Sequence, residues 1–160
     1  MGLDMYLSKR TYVKHYDFKG KENFEIKVKQ GGKIVPFIKP KEVSYLISEV
    51  IYWRKANAIH NWFVNNVQGG EDDCGTHSVS PEQIQELIDA CTFELTHRVK
   101  DGEESKGAAL KPTSGFFFGD TTKDDYYYDN LKETVKVLET ELALQKKYEL
   151  CDDFEYHSSW

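Results

Sequence analysis

Apolar positions along the chain recur with a period of two at first, and later with a period near three and a half. Leu3, Met5 and Leu7 alternate with polar or amphipathic neighbours, which predicts a half-buried strand. The stretch from Thr11 to Phe18 is also strand-prone, through Tyr12, Val13, Tyr16 and Phe18. Phe24 to Lys29 alternates strictly, Gly31-Gly32 supplies residues suited to positive φ, and Lys33 to Ile38 returns. That arrangement predicts a hairpin, with Pro36 confining the returning strand to an edge.

From Pro40 the period lengthens. Val43, Leu46, Ile47, Val50, Trp53, Val64 and Val67 recur at three- and four-residue spacing, which predicts one long helix to about Val67, stopped by Gly69-Gly70. An acidic loop follows, Glu71-Asp72-Asp73-Cys74-Gly75. Ser80-Pro81-Glu82-Gln83 is a capping box with proline at the first helical position, so a second helix starts there and runs to about Val99. Its apolar face holds Ile84, Leu87, Ile88, Cys91 and Leu95. Residues 100–115 are rich in Gly, Lys and Glu and are expected to form a mobile loop. Phe116 to Gly119 predicts a short buried segment or strand. Asp120-Thr121-Thr122 is expected to cap a third helix from about Lys123 to Lys147, with Leu131, Val135, Leu138 and Leu142 inward. The tail from Tyr148 to Trp160 suits one more strand. The sum is α+β: a single domain over residues 1–160, with a small antiparallel sheet under three helices.

Composition narrows the class. With 160 residues, 39% hydrophobic, 30% charged and 14% aromatic, the chain is neither a membrane span nor a disordered polymer. The start Met1-Gly2-Leu3-Asp4 is not a secretory leader, and we expect an intracellular protein. Net charge is −6, yet Lys and Arg outnumber Asp and Glu two to one over residues 1–55, and the rest is strongly acidic. Long nucleic acid, which wants a broad basic face, is not expected as a partner, and neither is a membrane. Cys74, Cys91 and Cys151 are too far apart for a zinc ribbon or a redox pair, which points to reduced thiols and no metal or cofactor.

Two anomalies locate candidate chemistry. Asn57 and His60 interrupt the apolar stripe of the long helix and demand polar partners: either a core hydrogen bond or a pocket. Arg54 and Lys55 lie one turn earlier and offer phosphate contacts. On the pocket reading, His60→Ala removes function with little loss of stability. The second anomaly is Gly115-Phe116-Phe117-Phe118-Gly119 followed by Tyr126-Tyr127-Tyr128, aromatic surfaces for stacking. The pocket reading therefore assigns ligand binding to Trp53, Arg54, Lys55, Asn57, His60, Phe117 and Tyr127, with Trp62 as an alternative stacking ring. His60 with Asp72 or Asp73 are the only candidates for general acid–base work, and Cys74 with His60 or His77 for a nucleophile pair. No P-loop, HExxH or GxSxG signature is present.

The opening Met1–Leu7, the segment Tyr52–Gln68, Glu71–Gly75 and Ser114–Thr121 together resemble a family of small hypothetical proteins of tailed bacteriophages and prophages. The resemblance covers nearly the full length and carries no residue role. It implies a phage-encoded, non-virion protein in the cytoplasm of a bacterial host. Such accessory proteins often counter host defences, by sequestering nucleotide signals or by binding a defence protein. The expectation is thus a binding protein for a nucleotide-like small ligand. Its alternatives are an interaction module for a host protein or another copy, using Tyr126–Tyr128 and Trp160, or a phosphoester hydrolase.

Overall fold

A computed structural model describes residues 2–14, 25–98, 110–150 and 152–160 of the chain. They form an α+β structure. β1 (Asp4–Tyr12) pairs antiparallel with β4 (Tyr45–Arg54) on one side and β6 (Asp153–Ser159) on the other, and β5 (Thr76–Val79) adds to β6. The helices are α1 (Asn57–Asn66), α2 (Pro81–Thr96) and α3 (Asp125–Tyr148). Among the described residues no helix is long and apolar enough to cross a membrane.

The alternation read at the N-terminus orients the sheet. Leu3, Met5 and Leu7 are wholly buried, joined by Ile51 and Trp53 of β4 and by Phe154 and Tyr156 of β6. Helices supply the other half of this core, through Ile59 and Phe63 of α1, Ile84 and Leu87 of α2, and Leu131 and Leu138 of α3. Phe63 stacks on Tyr156 with ring centroids 3.8 Å apart. The Trp53 indole N–H donates to Thr134 Oγ1 at 2.8 Å, fixing α3 on the sheet. On the other face Tyr6 stands directly opposite Tyr52 and His157, an aromatic row across three strands.

Several sequence expectations need correction. The long helix from Pro40 does not form. Its first half is a one-turn 3₁₀ segment, Pro40–Glu42, followed by strand β4, and only Asn57–Asn66 is helical. A bulge explains the misreading: Leu7 pairs with Ile51 and Ser8 with Glu49, so Val50 is an extra residue that breaks the two-residue period. The N-terminal hairpin exists, but its strands β2 (Lys29–Gln30) and β3 (Lys33–Ile34) are short and stand apart from the main sheet. Glu25 to Val28 is irregular, and residues 15–24, with Tyr16, Phe18 and Phe24, lie outside the described residues. Phe116 to Phe118 is a turn, with Phe116 fully exposed, because glycines flank it and no strand offers a partner. Asp124 caps α3 in place of Asp120, accepting from Tyr127 N at 2.9 Å.

The remaining punctuation follows the sequence. Ser80 and Gln83 close the capping box from both sides, at 3.2 and 2.9 Å. Gly69 and Gly70, at φ 68° and 88°, end the α1 segment. The C-terminal tail is strand β6. Val99 and most of the loop expected at 100–115 lie outside the described residues.

Candidate functional site

The junction between β4 and α1 is built around Lys55. Its backbone N–H continues the ladder to Leu3 O at 2.8 Å, and its φ of 55° turns the chain into the helix. A left-handed backbone is costly for a residue with a side chain, so the surroundings must enforce it. They do: two glycines flank the Lys55 side chain. A Cβ on Gly119, itself at φ 86°, would come within 3.1 Å of Lys55 Cβ, and one on Gly2 within 3.2 Å of Lys55 Cε.

Helix α1 then begins at Ala56 without any side-chain cap and with no acidic residue in its first turn. Among the described residues no side chain caps the positive end of its dipole. Asn57 is buried, and its amide donates to the carbonyls of Phe118 at 3.1 Å and Asp120 at 2.7 Å. These bonds hold the 118–120 turn across the helix start. Between the two lies a pocket of about 190 Å³. Lys55, Ala56, Asn57, Ala58 and Ile59 form one wall, and Gly119, Asp120, Thr122, Asp124, Tyr126, Tyr127, Asn130 and Leu131 form the other, with Pro112 at the side.

The second wall is held by hydrogen bonds. The Tyr126 hydroxyl donates to Arg54 O at 2.7 Å, and Asn130 Nδ2 donates to Tyr126 O at 2.7 Å. Tyr127 reaches back to buried Glu94, which also holds the Lys123 ammonium at 2.7 Å. Burial, and then the Glu94 charge, push the Tyr127 phenol far above its usual range, so it stays protonated. The two carboxylates of this wall are occupied locally. Asp124 caps α3, and Asp120 Oδ1 accepts from Thr122 Oγ1 at 2.7 Å and from Thr122 N at 3.0 Å. Those bonds hold Asp120 below the ordinary carboxylate range.

One turn further along α1 the chemistry changes. His60 is wholly buried, with Nδ1 at 2.7 Å from Tyr156 Oη and Nε2 at 3.1 Å from Asp72 Oδ2. A proton on Nε2 satisfies both contacts: the ring donates to the carboxylate and accepts from the phenol. Burial, with the Asp72 charge adding to it, raises the Tyr156 phenol well above its usual range and keeps it a donor. Trp160 Nε1 donates to the other Asp72 oxygen at 3.2 Å, tying the C-terminal strand to the same loop. Asp73 accepts from His77 at 2.7 Å and from Gly75 N at 3.0 Å, which lower its carboxyl below the usual value. The acidic loop is thus a latch made of histidine–aspartate pairs.

Of the residues singled out by sequence, the pocket gathers Lys55, Asn57 and Tyr127. It does not gather the others. Trp53 is enclosed in the core, because it sits on a strand and not on the helix. Trp62 is also buried. The Arg54 side chain turns to Asp4 at 3.5 Å, which is bonded to Tyr52 as well, and only the Arg54 carbonyl serves the pocket wall. Phe117 packs edge-on to Phe116, and its carbonyl accepts from Leu3 N. His60 has no open nitrogen for acid–base work, and Asp72 and Asp73 are bonded as latch residues. Among the described residues no histidine is hydrogen-bonded to exposed Cys74, and no group of three metal-ligating side chains occurs. Sequence reasoning missed Thr122 and Asn130 as lining residues, and it marked Tyr126 as aromatic surface without assigning it to the pocket. The usable signal was the missing cap at Ala56, hidden by reading β4 and α1 as one helix. No family model, curated protein or solved structure matches the chain.

Proposed function

We propose that the chain is a non-catalytic binding protein for a nucleotide-like small ligand held at the start of α1. The observation that supports this is the meeting of Lys55, Asn57 and Tyr127 in one pocket beside an uncapped helix N-terminus. Size decides how a ligand sits. An apolar cavity of about 150 Å³ accepts one benzene ring, so 190 Å³ accepts a base and leaves the phosphate outside. Ile59, Leu131 and the Tyr127 ring suit a flat apolar group, and Thr122 and Asn130 suit its polar edge. The positive charge of Lys55, which lines the pocket, and the dipole of α1 favour an anion. Asp120 and Asp124 oppose a large negative charge there, so a mononucleotide or cyclic nucleotide fits better than a triphosphate. In a phage-infected cell the use of such a site would be to sequester a host signal.

Calorimetry and thermal melts with mono-, di- and cyclic nucleotides test this reading. A ligand at 100 times its Kd stabilises the native state by about 2.7 kcal/mol, a rise in melting temperature of roughly 5–10 °C. Lys55→Gly should abolish that rise. The reading fails if no nucleotide shifts the melt and mass spectrometry of the denatured protein releases none. Hydrolysis gains nothing from the geometry, because His60 is sealed.

A further inference from the structure

We propose that the pocket at the start of α1 selects amino-bearing bases, adenine or cytosine, over their carbonyl counterparts hypoxanthine and uracil. Such a preference rests on the nucleotide reading above and sharpens it to one class of base. A base is read along its edge, where an amine donates and a carbonyl accepts. What the pocket can offer that edge depends on which of its own hydrogens are already engaged.

Asn57 gives the clearest answer. An amide side chain has two hydrogens to donate and one oxygen that accepts. Both Asn57 hydrogens go to the protein, to the carbonyls of Phe118 and Asp120. Two carbonyl partners also decide which way round the amide lies: nitrogen toward the 118–120 turn, oxygen away from it. That oxygen has no hydrogen-bond partner among the described residues, although Asn57 lines the pocket and is only 4% exposed. A nearly buried acceptor without a partner calls for a donor, and a ligand N–H supplies one.

The facing wall has the same bias. The Tyr126 hydroxyl donates to Arg54 O, the Thr122 hydroxyl to Asp120 Oδ1 and the Tyr127 hydroxyl to Glu94. One amide hydrogen of Asn130 goes to Tyr126 O, so its second is the single side-chain donor left on that wall. The carboxylates of Asp120 and Asp124 only accept. The other donors are Lys55 and the first-turn N–H groups of α1, which serve the anion. Acceptors are therefore what remains for the base. An amine among them gives these oxygens a hydrogen. A carbonyl in the same place sets oxygen against oxygen and leaves both unpaired, which is how a polar site rejects an analogue.

The test is calorimetry on the full chain with the monophosphates of adenosine, inosine, cytidine and uridine. Within each pair the sugar and phosphate are the same, and only the exocyclic group and the ring nitrogen beside it change. Adenosine monophosphate should bind at least about tenfold more tightly than inosine monophosphate, and cytidine monophosphate than uridine monophosphate. In NMR spectra the Asn57 side-chain amide should move further on saturation with adenosine than with inosine monophosphate, because its oxygen accepts the new bond. Equal affinities within the pairs, or a preference for the carbonyl members, would overturn the selection and leave the binding site standing. So would a preference for amino bases with the Asn57 side-chain amide unmoved. Failure of all four to bind would overturn the proposed function itself, and the selection with it.

Discussion

Asn57 and His60 sit one turn apart on α1, both buried and both polar, and they do opposite jobs. Asn57 spends its amide on the two carbonyls of a turn and leaves an open space beside it. His60 spends both ring nitrogens on side chains that seal the core, Tyr156 and Asp72. The difference lies in what each faces. Asn57 is in the first helical turn, where backbone N–H groups have no intrahelical acceptor. His60 is past that turn, facing β6, where any gap would strand a phenol. A buried polar residue therefore marks a site only where its neighbours are themselves incomplete.

The most forceful way to break this contrast is His60→Ala. It strips the buried Tyr156 hydroxyl of its acceptor and leaves a cavity, so urea denaturation should show a loss of about 3–5 kcal/mol. A near-neutral result would return His60 to an open site. Asn57→Ala should cost less, about 1–2 kcal/mol, because the carbonyls it releases lie at the surface turn and water reaches them. Nucleotide-dependent stabilisation should disappear with it. Lys55→Gly sharpens the comparison further, since glycine relieves the left-handed backbone. That variant should stay within about 1 kcal/mol of the native stability, because relief of the left-handed backbone offsets the entropic cost of glycine, and yet lose ligand binding, a split that a purely structural lysine would not give.

The smallest effect concerns the latch. Asp73 is lowered by its bond to His77 and then by Gly75 N–H. A depressed carboxylate adds stability above its unfolded pKa, and that stability is lost as pH falls through the folded value. The gap in melting temperature between the native chain and Asp73→Asn should thus persist from neutral pH down to pH 5. It should close below pH about 4. A gap that stays open well below pH about 4 would contradict the latch.

How much of this was readable beforehand depended on whether a signal was local. The alternation of Leu3, Met5 and Leu7, the Ser80–Gln83 box and the Gly69-Gly70 stop each act within a few residues, and each appears in the fold. β4 was not legible, because the bulge at Val50 and the exposure of Leu46 and Ile47 remove the alternation that identifies a strand. Its content of Tyr, Ile, Val and Trp was the better guide. That error carried into the site. One continuous helix puts Trp53 on the face of Asn57 and His60, with Arg54 one turn earlier, whereas the turn at Lys55 leaves Trp53 and Arg54 on β4 and only Asn57 and His60 on α1. Lys55 lines the pocket with Asn57 because it directly precedes α1, and Tyr127 does so through the packing of α3, which no local signal gives.

The central claim is that ligand binds at the first turn of α1 and not at the His60 latch. Amide and side-chain shift mapping by NMR, with a saturating mono- or cyclic nucleotide, separates the two directly. Shifts are expected at Lys55 to Ile59, Thr122, Tyr126 and Tyr127, with Asp72, Asp73, His77 and Trp160 unmoved. Shifts concentrated at the latch residues, with the Lys55 to Ile59 amides unmoved, would contradict it.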